Sequence, residues 1–261
     1  MLILLPPSES KSSPDGGPRL NLTELFAPEL TKVRRPLLDA LIRMCAKEPR
    51  VALRNLALSD RQVGEVHRNT AIKQAPCAPA AEIYTGVLFD ALCLSNLPRA
   101  ARSRANERVL IASALFGAIR PEDLIPAYRL SASSRVPGID SLNRMWKSPL
   151  GLALETRADG RVVLDLRSSD YAALAQVPSS LAERTVIGKV VDSSTGRKIA
   201  VSHFNKATKG YLTRELLRSA KTPRTPDSLA AMCEAAGFEV NLLEPSKVDA
   251  PWTLEIEQHH G

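Results

Sequence analysis

A chain of 261 residues with 44% hydrophobic residues is long enough to bury a substantial core, and no stretch of it approaches the ~20 uninterrupted apolar residues of a membrane span. Lys and Arg outnumber Asp and Glu by 35 to 28, and the net charge of +7 favours polyanionic partners without naming one. The cysteines Cys45, Cys77, Cys93 and Cys233 form no C-x-x-C pair and have no His at ligand spacing, which argues against a zinc site.

The opening MLILLPPSESK reads as a buried strand stopped by Pro6 and Pro7, because proline cannot donate to a sheet ladder. Ser8, Glu9, Ser10 and Lys11 then fall at the carboxyl end of a strand, where sheets of this kind usually bind ligands. No basic segment followed by a long apolar one opens the chain, so a cytoplasmic protein is expected. RRPLLDALIRMCAKE predicts an amphipathic helix with Pro36 at its start, and LSDRQVGEVHRNT predicts a second with Ser59 as N-cap. QAPCAPAAE sets Cys77 between prolines as an exposed thiol. The other three cysteines lie in apolar helical contexts and read as buried and reduced. PAAEIYTGVLFDAL places Glu82, Tyr84 and Gly86 at the entry to a helix.

RVLIASALFG is strand-like, and within SALFGAIRPEDLIPAYRL a tight hairpin is expected at Gly117. That hairpin is either a structural turn or a helix-glycine-helix turn whose bare amides, beside Arg120, would hold phosphate. LNRMWKSPLG groups Arg144, Trp146 and Lys147, with Trp146 expected in the core. RVVLDLRSS is another strand, delivering Asp165, Arg167, Ser168, Ser169, Asp170 and Tyr171 at its end, with Ser168 or Ser169 capping the helix that follows. VIGKVVDSSTGRKIAVSHF reads as a hairpin turning at Ser193 to Arg197, a helix is expected from about Asn205, and the tail supplies two more strands. The last third therefore reads as largely antiparallel. The whole of residues 1–261 is expected to form a single α+β domain, with a mixed, partly antiparallel sheet and surrounding helices.

Lys206, Lys209, Arg214, Arg218 and Lys221 lie along one predicted helix. They would make either a stripe that tracks a phosphate backbone or an ordinary solvated basic face. His67 and His203 each stand alone and His259 and His260 close the chain, so no metal site can be assembled, and no cofactor is expected.

LILLPPSESK, IYTG, LFGAIRPEDLIPAYRL, MWKSPL, LDLRSSDY and HFNKATKG occur in an order and at a spacing that resemble the YaaA family of bacterial peroxide-stress proteins. The resemblance implies a role in limiting free intracellular iron and oxidative damage to DNA. It also implies a DNA-binding fold with a helix-hairpin-helix-like element. Position by position, its GxxRPxDxxxPYR pattern falls on Gly117, Arg120, Pro121, Asp123, Tyr128 and Arg129, with Ala127 where many members carry proline. YTG falls on Tyr84, Thr85 and Gly86; KxxRG meets Lys206, Lys209 and Gly210, so lysine stands where arginine is common and a bidentate fork is lost.

Two functions of different class follow. The first is weak, salt-dependent binding of DNA through its phosphates. The second is an enzyme whose cleft takes a nucleotide, nucleobase or other phosphorylated small molecule, with Lys11, Tyr128, Asp165 and Lys206 as candidates for the chemistry. Arg129 and Ser168 belong to that polar set, and Ser8, Lys11, Tyr84, Arg120, Tyr128, Lys206 and Lys209 are expected to line one cleft.

Overall fold

Leu2–Leu5 is apolar on both faces and forms β1, and a strand with that pattern needs neighbours on both sides and cover above and below. The computed structural model describes residues 1–192 and 202–258. After β1 come α1 (Thr31–Lys47), α2 (Pro49–Asn55), α3 (Val63–Thr70), β2 (Ala78–Pro79), α4 (Ala80–Ile83), α5 (Val87–Leu92) and α6 (Arg99–Arg108). The chain continues with β3 (Val109–Ser113), β4 (Gly117–Ile119), β5 (Leu124–Ile125), α7 (Leu142–Ala158), β6 (Val163–Asp165), α8 (Ser169–Ala172) and β7 (Thr185–Val191). It closes with α9 (Ser202–Arg218), α10 (Pro226–Ala235), β8 (Val240–Leu243) and β9 (Trp252–Glu257).

Among the described residues seven strands form one sheet in the order β4-β3-β1-β6-β7-β9-β8, and β2 and β5 make a small antiparallel ladder of their own. The fold is a single α+β domain with a mixed sheet and one continuous hydrophobic core. β1 is parallel to β3 and to β6, so the carboxyl ends of these three strands open onto the same edge of the sheet. The final third is less antiparallel than the sequence suggests. β8 pairs antiparallel with β9, but β7 lies parallel to β6, the chain returning between them through α8 and a 3-10 segment, and β9 lies parallel to β7, the chain returning through α9, α10 and β8. The hairpin expected at Ser193 to Arg197 lies outside the described residues, as do His259 and His260, and His203 falls in α9 rather than on a strand.

Local expectations meet the structure unevenly. Ser59 leads into α3 through a short 3-10 turn, with its amide donating to Gln62 Oε1 at 3.1 Å. Pro36 lies inside α1, which begins at Thr31. Cys77 is buried, not exposed, because the loop before α1 covers it: its amide donates to Pro18 O at 2.9 Å, and burial pushes its thiol up to about 11. Trp146 is fully buried and donates from Nε1 to Ala114 O at 2.9 Å.

The turn at Gly117 joins two strands, so the motif forms a β-hairpin and not a helix-glycine-helix turn. Its amides are engaged, Phe116 N on Ser113 Oγ at 2.9 Å and Ala118 N on Phe116 O at 3.1 Å, which removes it as an amide cradle for phosphate. Gly117 has φ +77°, and a Cβ there would lie 2.8 Å from the Trp146 ring. Gly117→Ala is therefore expected to cost about 2–4 kcal/mol, from left-handed strain and overpacking together, read as a lower denaturation midpoint in urea.

A buried guanidinium ties this hairpin to the loop before α1. Arg34 Nε donates to Phe116 O at 2.9 Å, Nη2 to Phe26 O at 2.5 Å and Ala118 O at 3.2 Å, and Nη1 to Ala27 O at 3.2 Å. Asp123 completes the tie by accepting from Phe26 N at 2.8 Å.

Candidate functional site

The carboxyl end of β1 delivers residues 8–12 to a short antiparallel contact with the segment after α4: Lys11 bridges to Tyr84, Ser12 N donates to Ile83 O at 2.9 Å and Thr85 N to Ser10 O at 3.3 Å. Extended backbone after the two prolines makes this pairing possible, and it brings the Lys11 side chain over two aromatic rings. Its Nζ lies 4.4 Å from the centre of the Tyr128 ring and 5.2 Å from that of Tyr84, and it donates to Ser8 O at 2.8 Å and Glu9 O at 3.3 Å. Gly86, the N-cap of α5, packs beside Ser8, whose Oγ would lie 3.4 Å from a Cβ at that position.

Beneath the amine runs a buried chain of hydroxyls. Tyr84 OH lies 2.8 Å from Tyr128 OH, which lies 2.7 Å from Ser113 Oγ at the end of β3. Both tyrosines are at most 2% exposed. Burial raises both phenols, Tyr128 to about 12 and Tyr84 well above its ordinary value, so both are neutral hydrogen-bonding groups at pH 7. Lys11 moves the other way: burial foremost, then the Arg129 guanidinium, lower it to about 7. The two ring faces favour the ammonium form, but loss of water and a neighbouring cation outweigh them, leaving an amine that exchanges its proton near neutrality.

Arg129 closes the group. Buried Asn69 grips its backbone, accepting from Arg129 N at 2.8 Å and donating to Arg129 O at 2.7 Å. Its Nη2 meets Glu9 Oε2 at 2.5 Å and its Nη1 points to Glu9 O at 3.4 Å. Tyr171 stands nearby, its phenol raised by burial and then by Tyr128 and Glu9.

The adjoining strand end, after β6, holds a second buried polar group. Arg167 makes two contacts to Asp165, Nε to Oδ1 at 2.9 Å and Nη2 to Oδ2 at 2.7 Å, and Lys209 reaches from α9 to Leu166 O at 2.9 Å. Ser168 is the exposed N-cap of α8. Lys209 is only 9% exposed and burial lowers its pKa, so it cannot belong to a surface stripe. Thr208, Leu212, Thr213, Leu216 and Leu217 are buried along the same helix, while Arg214 and Arg218 turn to Glu215. Gly210 lets α9 approach α5: a Cβ there would meet Leu88 O at 2.3 Å.

The structure thus gathers Ser8, Lys11, Tyr84, Gly86, Tyr128 and Arg129 in one place, with Asp165 and Lys209 at the next strand end. Lys206 is exposed on the first turns of α9. Arg120 does not join them. It follows Ile119, which pairs with Ile111, and so lies away from the Ser113–Gly117 turn, held by Asp123 at 3.1 Å. Sequence reading overlooks Ser113, the single hydroxyl closing an apolar strand, and Glu9, quoted in the opening motif but given no role. Asn69 carries no sequence signal, since one asparagine in a polar helix is unremarked until the fold buries it.

Among the described residues no group of three His, Cys, Asp or Glu side chains could hold a metal ion, and no helix is long and apolar enough to cross a membrane. Residues 1–242 match the family described as peroxide stress protein YaaA. A UPF0246 protein of Streptomyces coelicolor is 42% identical over 259 residues, 99% of each chain. One from Corynebacterium efficiens is 39% identical over 249 residues, covering 95% of this chain and 97% of its own, and an uncharacterized protein of Campylobacter jejuni is 27% identical over 217 residues, 81% of this chain and 82% of its own.

Proposed function

Because the chain belongs to the YaaA peroxide stress family, we propose that it defends its cell against peroxide from the cytoplasm, by binding and acting on a small anionic molecule at the polar cluster around Lys11. The observation that carries this reading is the Ser113–Tyr128–Tyr84 hydroxyl chain beneath the Lys11 amine. A protein that only tracks a phosphate backbone has no use for buried, aligned phenols, whereas a small-molecule site uses hydroxyls to orient a ligand, cations to hold its phosphate or carboxylate, and a neutral amine to take up a proton. A nucleotide, nucleobase or other phosphorylated molecule fits that set. Relief of iron-dependent damage would then be an indirect consequence of the chemistry.

A separate observation favours a second reading, protection of DNA by weak binding to its phosphates. Arg104, Arg108, Arg157 and Arg161 lie near one another: burial first, then Arg104 and Arg161, lower Arg108, and burial first, then Arg161 and Arg120, lower Arg157. These guanidiniums already donate to carbonyls. Arg104 binds Leu217 O and Arg218 O, Arg108 binds Ser219 O and Lys221 O, and Arg157 and Arg161 both bind Glu107 O, so fewer donors remain for phosphate.

One comparison separates the readings. Tyr128→Phe leaves two buried hydroxyls short of a partner, at ~1–3 kcal/mol. In the pocket reading it removes most of the protection against hydrogen peroxide in a complemented deletion strain, without changing affinity for duplex DNA. In the DNA reading Tyr128→Phe protects normally, while Arg161→Ala weakens both protection and DNA affinity, and the fall in log K of ~0.9 per phosphate per tenfold salt lessens by one contact. Melting temperatures measured alongside identify any variant that has merely lost its fold.

A further inference from the structure

Two carboxylates, Glu65 and Glu9, act on Lys11, and only Glu9 is carried on the same loop as the amine and paired with Arg129. Glu9 has a side chain 60% exposed, yet it reaches in to Arg129, whose side chain is only 13% exposed. One edge of the Arg129 guanidinium is occupied by Glu9, through the carboxylate at Nη2 and the Glu9 carbonyl at Nη1. The other edge is idle: Arg129 Nε is buried and has no hydrogen-bond partner. A buried donor without an acceptor is costly and marks a place where something else belongs. Asn69 meanwhile fixes the Arg129 backbone from both sides, so the guanidinium is presented by a rigid mount while Glu9 arrives on the loop between Pro7 and the Lys11–Tyr84 bridge.

We infer that Glu9 is an internal stand-in for a ligand's oxyanion: in the free protein it occupies an anion subsite made by Arg129 and Lys11, and a ligand's phosphate or carboxylate displaces it and takes up Arg129 Nε as well. The inference rests on the pocket reading and adds to it both the chemical class of the group recognised and a built-in competitor. The geometry supports the exchange. A guanidinium presents forked donors to two oxygens of one oxyanion, and an exchange of one carboxylate for another group of like charge leaves no cation bare. Only the exposed partner has to move. A subsite held closed in this way binds its ligand more weakly by the fraction of time that it is open.

The test titrates the purified full chain with inorganic phosphate, and in a parallel arm with malonate, by calorimetry. Glu9→Gln keeps the shape of the side chain and removes the charge that competes. It is expected to bind phosphate or malonate about tenfold more tightly than the unaltered chain. In the Glu9→Gln, Arg129→Met double variant the gain should vanish. Tighter binding in one arm only identifies the oxyanion as phosphate or as carboxylate. Equal affinity in the unaltered chain and in Glu9→Gln overturns the inference, as does a gain that survives loss of Arg129, since that would be a general effect of charge. Neither result touches the pocket reading, which is judged by peroxide survival of Tyr128→Phe and so fails or stands separately.

Discussion

Lys11→Met is expected to abolish the protection that the chain gives against peroxide while leaving its fold intact. Methionine keeps the unbranched stem over the Tyr128 and Tyr84 rings and loses only the amine, whose hydrogen bonds run to two carbonyls of its own loop. Loss of a positioned proton acceptor typically slows a reaction by ~10²–10⁴-fold, so residual survival should approach that of the deletion strain. Lys11→Arg sharpens the result. It retains a cation but not one that gives up its proton at pH 7, so it should fail as Lys11→Met does if the amine works as a base, and should protect if charge alone matters.

The same residue predicts a pH dependence of stability. Lys11 titrates at about 7 in the folded chain against an ordinary 10.5. Between those values the unfolded chain binds a proton that the folded chain lacks, so unfolding free energy rises with pH across that window. Below the window both states are protonated and the full penalty of a buried ammonium applies. Lys11→Met has no such term. Relative to the variant, the unaltered chain should be weakest at pH 6 and should gain steadily as pH is raised toward 9.5. Above about 10.5 the gap levels off, since both states of the amine are then neutral, while both proteins lose stability together because Tyr84 and Tyr128 stay protonated when folded and ionise when unfolded. Urea denaturation of both proteins at half-unit steps of pH gives the slope, and a constant gap would show that the amine stays charged in the folded state.

Arg34→Met should be the most destabilising substitution outside the aliphatic core. The guanidinium is fully buried and satisfies carbonyls at Phe26, Ala27, Phe116 and Ala118, joining the loop before α1 to the β3–β4 hairpin. Burial lowers it to about 10, which still leaves it charged at neutral pH, and Asp123 partly offsets the cost. Removing it strands several buried acceptors and takes away a buried charge that Asp123 faces, a loss of ~3–5 kcal/mol even though Asp123 keeps its pair with Arg120. The denaturation midpoint should fall accordingly. Because Phe116 N also holds Ser113 Oγ, the hydroxyl chain under Lys11 should loosen as well, visible as faster hydrogen exchange at Phe116 and Ala118.

Several parts of this architecture are written in short stretches of sequence, where local physics is sufficient. An apolar run ended by two prolines can only be a buried strand with a polar exit, and β1 with Ser8 and Lys11 after it follows. Ser59 before α3 and Trp146 in the core are likewise set by hydrogen-bonding capacity and size within a few residues, and Ser168 starts α8 by its extended backbone, without a side-chain capping bond. The family was legible too, because its motifs fix residue types at separated positions.

Other features depend on contacts that no window of sequence contains. Cys77 lies in polar, proline-rich surroundings, and only the arrival of residues 17 and 18 buries it. Lys209 and Lys206 are three positions apart on one helix, yet the packing of Gly210 against α5 turns the first inward to Leu166 O and leaves the second in solvent. Gly117 and Arg120 read equally as a structural turn or a phosphate cradle, and only the antiparallel pairing of β4 with β3 decides for the turn, carrying Arg120 away from the Ser113 end and giving Gly117 to the Trp146 ring. Sequence by itself therefore determined the elements, the family and the residue types of the site, because propensity, capping and burial pattern act locally. Tertiary structure alone decided that Lys11, the two tyrosines, Ser113, Glu9 and Arg129 meet, and that one lysine exchanges its proton near neutrality, because desolvation and strand direction are set by neighbours tens of residues away along the chain.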